Sequence, residues 1–177
     1  MVRGQTSHAK PVERDLPELA PIIEMDDTNW LSVLNINLRG VFYSMRAEAR
    51  AMMEQGGSIV NVASINAFLG SPGAAAYATS KHAILGLARS ACQEFAPLKI
   101  RINTVCPGLI DTDMQRDIAV RVAGEAADGF EHPLIARTPL GRMSTPSEIA
   151  SAIVWLASDE SSYVTGSTLT ADGGVTA

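Results

Sequence analysis

Ser58-Ile59-Val60-Asn61-Val62-Ala63-Ser64, a loop, and then Ala76-Tyr77-Ala78-Thr79-Ser80-Lys81 form the stretch of this 177-residue chain that decides its fold. The first run is short and mostly apolar, and it sits between Gly56-Gly57 and a polar serine. Such a run suits a strand covered on both faces. A loop with Gly70, Pro72 and Gly73 follows. Residues 74–96 then repeat apolar side chains at helical spacing (Ile84, Leu87, Ala88, Ala91, Phe95) until Pro97 stops the helix.

Upstream, Asp26-Asp27-Thr28-Asn29 opens a second helical pattern over about 27–54, with Trp30, Val33, Leu34, Val41, Met45, Ala49 and Met52 in phase. Acidic residues at its start suit the helix dipole. Downstream, Ile100 to Val105 reads as a second strand ended by Pro107-Gly108. Residues 109–145 are irregular, with room for one or two helices. Pro146 marks a first helical turn, residues 147–157 a helix, and Ser167 to Ala171 a third strand. Helices alternating with strands across long connections imply an α/β architecture with parallel strands. Residues 1–21 are polar, carry Pro11, Pro17 and Pro21, and show no period. They are expected to be loosely ordered, ahead of a folded portion over 22–177.

Composition narrows the function classes. With 46% hydrophobic residues the chain has material for a real core. A net charge of -5 without clustered Lys and Arg speaks against nucleic acid as a partner. No apolar run approaches the roughly 18 residues that span a bilayer, so no membrane partner is expected. The start has no apolar run of the secretory type. Cys92 and Cys106 form neither a zinc spacing nor a disulfide framework. His8, His82 and His132 are scattered, so no metal site is expected. The expectation is a soluble, reduced, cytoplasmic protein that binds a small molecule or another protein.

Three polar residues interrupt the apolar pattern. On a uniform helix with Trp30 at zero, Asn37 falls at about 340°, inside the apolar face. Either a structural amide or a site residue fits there. With Tyr77 at zero, Lys81 lies at about 40°, Ile84 at about 340° and Ala88 at about 20°. Lys81 therefore heads an apolar stripe one turn from Tyr77. A cation there favours phenolate and would lower the tyrosine from its usual value of about 10, suiting it to proton transfer. A lysine that simply reaches to solvent from a helix start has the same spacing. Ser64 follows the first strand directly, where ligands bind in open α/β sheets and where turn residues are also common.

Ser58 to Ser64 with Ala76-Tyr77-Ala78-Thr79-Ser80-Lys81 resembles the active-site signature of the short-chain dehydrogenase/reductase family, and positions 64 and 77 keep its serine-to-tyrosine interval. Asn35-Ile36-Asn37-Leu38-Arg39-Gly40 is similar to the helix that supplies the family's asparagine. Arg101-Ile102-Asn103-Thr104-Val105-Cys106-Pro107-Gly108 resembles the stretch leading to the nicotinamide site, and the likeness continues through Gly141-Arg142, 146–157, Thr165-Gly166 and Asp172-Gly173-Gly174. The resemblance implies a partial Rossmann-like, doubly wound parallel sheet. It also implies hydride transfer between NAD(P)(H) and a secondary alcohol or ketone. Tyr77 would be the general acid/base, and Ser64 would polarise the substrate oxygen. Lys81 would tune Tyr77 and bind ribose, and Asn37 would hold a relay water. Pro107 and Gly108 would contact the cofactor, and the backbone of Ile110 and the hydroxyl of Thr112 would grip its carboxamide.

The family's Gly-rich phosphate turn has no counterpart, since Gly4 is the only glycine before Gly40. The chain therefore reads as the C-terminal two-thirds of a member, with NAD or NADP preference undetermined. A catalytically inactive form acting through full-length relatives is the alternative. By the same resemblance the two long helices would pair with their copies, giving a homodimer or homotetramer, with Leu31, Leu38 and Phe42 on the outer face. Residues 112–140 resemble the substrate flap. There Met114, Ile118, Val122, Phe130 and Leu134 would either line a pocket or pack the flap down.

Overall fold

A computed structural model describes residues 19–123 and 132–177. Helix α1 (Asp27–Leu34) starts at Asp26, whose carboxylate accepts the Asn29 N–H at 2.7 Å and offsets the positive helix end. The helical path then widens. Asn35–Arg39 is a π-helical turn, closed by the Gly40 N–H donating to the carbonyl of Asn35, five residues back. Helix α2 (Gly40–Met52) resumes the ordinary period. The single helix expected over 27–54 is thus two helices joined by a π turn.

The chain turns at Gly56 (φ 75), where a side chain would meet the Lys99 carbonyl at 2.7 Å, and enters β1 (Gly57–Val62). Helix α3 (Ala75–Phe95) and a short 3-10 turn lead to β2 (Ile100–Pro107), two residues longer than expected. Helices α4 (Asp113–Ala123) and α5 (Pro133–Arg137) occupy the irregular stretch. Helix α6 (Pro146–Ala157) follows, then β3 (Thr168–Ala171).

Among the described residues the sheet has the order β1-β2-β3, parallel throughout, with Asn61 opposite Thr104 and Val62 opposite Val105. Alternation along the strands sends side chains to two helical layers. Ile59 and Ile102 join Met45, Ala49, Ala88, Ala91 and Cys92 from α2 and α3. On the other face Val105 packs with Ile149 and Leu156 of α6. Helices on both faces make the sheet doubly wound.

Two polar anchors hold the C-terminal corner to the sheet. The Arg101 guanidinium donates to the carbonyls of Leu156 (3.0 Å), Ser158 (2.9 Å) and Val164 (3.1 Å) and to the Ser161 hydroxyl (3.0 Å). Fully buried Asn103 donates to the Val164 carbonyl at 2.8 Å and accepts the Ser167 N–H at 3.1 Å. Residues 19–21, expected to be loose, include an anchored point: the Ala20 N–H donates to the Gly73 carbonyl at 2.9 Å. The remainder of the 1–21 segment, including His8, lies outside the described residues.

Candidate active site

Ser64 leaves β1 in an extended conformation, and its hydroxyl accepts the Asn66 N–H at 3.2 Å. That bond starts the 3-10 turn Ile65–Ala67, so the serine is a turn cap as well as a site candidate. Tyr77 and Lys81 stand one turn apart at the start of α3, both half-buried, as the helical arithmetic requires. The Lys81 ammonium lies 5.5 Å from the Tyr77 ring centroid and donates to the Val62 carbonyl at 3.2 Å. Ser64, Tyr77 and Lys81 therefore meet beyond the carboxyl end of β1.

The electrostatics differ from the expectation. Burial pushes the Tyr77 phenol above its usual value, and the Ser64 hydroxyl offsets part of that rise. Burial likewise lowers the Lys81 ammonium, with the neighbouring Cys106 thiol acting in the opposite sense. The expected lowering of Tyr77 by Lys81 is not found. Spacing shows the pair, but only the surroundings show that desolvation dominates it.

Asn37 reaches the site indirectly. It lies in the π turn, half-buried, and its amide donates to the Ser80 hydroxyl at 3.4 Å. Fully buried Ser80 donates in turn to the Tyr77 carbonyl at 2.7 Å. The π turn also rotates its neighbours. Leu38, expected on the outer face, packs instead against the cluster of Ala63, Ala67, Ile84, Leu85 and Cys106, while Ile36 is 70% exposed.

The turn after β2 closes the other side. The Gly108 N–H donates to the Ala171 carbonyl at 3.1 Å, and a side chain there would come within 2.9 Å of the Asp172 backbone. Asp172 fixes the C-terminal loop by accepting the N–H groups of Gly174 and Thr176, both at 2.9 Å, and the Thr176 hydroxyl at 2.6 Å. Ile110 bridges to Ser144, and Thr112 accepts the Gln115 N–H at 3.3 Å near the start of α4. Met114 is more than half exposed, while Ile118 and Leu134 are half-buried. Phe130 and the Val122 side chain lie outside the described residues. His132 caps α5, its ring nitrogen accepting the Leu134 N–H at 3.1 Å.

Sequence reasoning missed Ser80, Cys106 and Asp172. Ser80 sits three residues after Tyr77 and so shares its face, which was a usable signal. Burial raises the Cys106 thiol; Lys81 and the Ser64 backbone offset part of that rise, and Asp172 adds to it. A cavity of about 550 Å³, lined by Gly56, Lys99, Arg101 and Asp159 among others, lies at the amino ends of the strands, remote from Tyr77.

Comparison with known proteins agrees with this fold. The sequence profile of the family described as Enoyl-(Acyl carrier protein) reductase matches residues 13–176. The chain is 41% identical over 157 residues to the 3-oxoacyl-(acyl-carrier-protein) reductase FabG of Thermotoga maritima, covering 88% of this chain and 61% of the relative. It is 40% identical over 158 residues to the A-factor type gamma-butyrolactone 1'-reductase of Streptomyces virginiae, covering 88% of this chain and 60% of that one. The solved ligand-free aldohexose dehydrogenase of Thermoplasma acidophilum superposes with a TM-score of 0.84 at 35% identity, over 89% of this chain and 63% of that one. The chain thus spans about three-fifths of the length of these relatives. No helix among the described residues is long and apolar enough to cross a membrane. The matched profile, the identities and the shared fold together make this chain a member of the short-chain dehydrogenase/reductase family.

Proposed function

We propose that the site moves hydride between a nicotinamide cofactor, NAD(P)(H), and a secondary alcohol or ketone, in a cytoplasmic setting. The observation that carries this reading is the convergence of Ser64, Tyr77 and Lys81 beyond the carboxyl end of β1, with Asn37 tied in through Ser80.

The donor set suits the nicotinamide half of such a cofactor. Tyr77 and Lys81 offer a phenol and an ammonium to ribose hydroxyls, and Pro107, Gly108, Ile110 and Thr112 offer backbone and hydroxyl groups to a carboxamide. When bound, the nicotinamide supplies or accepts the hydride. This chain's own residues orient the substrate and manage the proton. Ser64 donates a hydrogen bond to the substrate oxygen and polarises it. Tyr77 gives its phenolic proton to that oxygen in reduction and takes it back in oxidation. Burial raises the phenol above its usual value, so the proton it gives is held by the neutral form until the substrate oxygen takes it. Lys81 stabilises the phenolate once the proton has left. Asn37 holds a relay water and, through Ser80, positions the turn that carries Tyr77.

The pyrophosphate is the weak point of the fit, because no glycine-rich turn at a helix start is present among the described residues. Hydrogen bonds to charged groups contribute roughly 1.5–3 kcal/mol each, so three fewer weaken binding by about 4 kcal/mol, or about a thousandfold. Calorimetric titration with NADH and NADPH tests this: the reading expects a dissociation constant in the millimolar range. A low-micromolar constant would show that the 177-residue chain holds the whole cofactor unaided. A second reading, action through association with longer relatives, is favoured by β1 lying at the sheet's edge with no outer neighbour among the described residues.

A further inference from the structure

Three ionisable side chains gather where β1 and β2 end beside the start of α3, and burial drives each toward its neutral form. It lowers the Lys81 ammonium and raises both the Tyr77 phenol and the Cys106 thiol. Lys81 forms no ion pair with a carboxylate among the described residues. It donates instead to the neutral Val62 carbonyl at 3.2 Å and stands 5.5 Å from the Tyr77 ring centroid. Of the two nucleophiles present, the Cys106 thiol is completely buried, so reagents do not reach it. Lys81 is only half-buried and lies against Val62, which is 44% exposed. The reachable nucleophile is therefore an amine. Beside it are two O–H groups, the Tyr77 phenol and the Ser64 hydroxyl that hydrogen-bonds to it. An amine in desolvated surroundings next to proton donors is the set that condenses with a carbonyl group.

We infer that Lys81 condenses with an aldehyde whose oxygen is held by Ser64 and Tyr77, forming an imine. The neutral Lys81 amine attacks the carbonyl carbon and a C–N bond forms. The carbonyl electron pair moves to the oxygen, which takes the Tyr77 proton. The nitrogen gives up a proton, which restores the phenol. The C–O bond then breaks, and the oxygen leaves as water with a second proton. One aldehyde and one amine give one imine and one water, with no oxidation or reduction. An aldehyde suits the site better than a ketone, because its carbon carries a hydrogen and leaves the half-buried amine room to approach. The inference shares with the proposed function only the hold of Ser64 and Tyr77 on a carbonyl oxygen. It needs no nicotinamide.

The test treats the intact chain with benzaldehyde and borohydride, without cofactor. Borohydride reduces the imine to a stable secondary amine, and peptide mass spectrometry reads each of Lys10, Lys81 and Lys99. Exposed Lys99 is the internal reference. Labelling of Lys81 should saturate with benzaldehyde and outrun that of Lys99 several-fold at neutral pH. Trinitrobenzenesulfonate, an amine reagent with no carbonyl oxygen, should favour Lys81 less. Tyr77→Phe should slow benzaldehyde labelling of Lys81 about a hundredfold and leave trinitrobenzenesulfonate labelling nearly unchanged. If Tyr77→Phe loses the circular dichroism of wild type, Ser64→Ala takes its place in the same comparison. Labelling of Lys81 no faster than of Lys99, an equal preference for Lys81 with both reagents, or wild-type labelling in the folded variant would each overturn the inference. A chain that oxidises NADH with a ketone yet leaves Lys81 unlabelled overturns this inference and leaves the proposed reaction standing.

Discussion

The Asn37 amide and the Ser80 hydroxyl meet at 3.4 Å, and this contact ties the π turn between α1 and α2 to the start of the helix that carries Tyr77 and Lys81. Ser80 passes the connection on by donating to the Tyr77 carbonyl. Ser80→Ala removes both bonds from a fully buried position. The expected cost is about 1–3 kcal/mol, read as a lower denaturation midpoint in urea with an unchanged slope.

The Tyr77 phenol should titrate above pH 10 in the ligand-free chain, since burial opposes phenolate. Its folded value is raised, so the associated stability is present below the unfolded value and lost as pH climbs through the folded one. Ultraviolet difference titration of wild type against Tyr77→Phe checks this. A wild-type-minus-variant signal centred below pH 10 would contradict it.

The α6 start carries a reciprocal cap. Thr145 accepts the Glu148 N–H at 3.3 Å, and the Glu148 carboxylate accepts the Thr145 N–H at 2.8 Å while paired to Arg142 at 2.7 Å. Thr145→Ala should cost about 1 kcal/mol. The Arg142 pair and the Thr145 N–H lower Glu148 to about 2. A lowered carboxylate stabilises above its unfolded value and loses that contribution as pH falls toward 2. Glu148→Gln should therefore flatten the stability loss between about pH 4.5 and pH 2, in an effect weakened by salt because the pair is exposed.

Arg101 should tolerate no simple replacement. Lysine keeps the charge but not the planar fork that reaches four acceptors. Both Arg101→Lys and Arg101→Ala should lower the melting temperature by several degrees, with alanine the worse.

Leu31, Ile36, Phe42 and Tyr43 are all exposed on α1, the π turn and α2, with Arg39 and Arg46 stacked over the Tyr43 ring at 5.1 Å. Four large exposed apolar side chains on one helical stretch are the kind of surface that self-association covers. The chain should be dimeric or larger at micromolar concentration in light scattering, and Ile36→Glu with Phe42→Glu should shift it to a monomer. A monodisperse wild-type monomer would contradict the assignment.

The parts legible in the sequence are those where the backbone repeats without interruption. The α3 stripe places Tyr77, Lys81, Ile84 and Ala88 on one face because the helix is regular from Ala75 to Phe95. The strands were readable as apolar runs because both faces of the sheet are covered. The π turn was illegible at Leu38, which packs inward although expected on the outer face, since an i to i+5 bond inserts rotation that no 100° count contains. The raised phenol at Tyr77 was illegible for another reason. Spacing reports which groups are near, whereas desolvation depends on everything packed around them.

The central claim is that Tyr77 is the acid/base of a hydride transfer. Its most direct test follows NADH and NADPH oxidation against a panel of ketones, at millimolar cofactor, for wild type and Tyr77→Phe. The account predicts slow wild-type turnover of at least one ketone and a loss of about a hundredfold or more in Tyr77→Phe, the scale of general acid catalysis. Equal turnover by the two chains, or none by wild type at saturating cofactor, would contradict it.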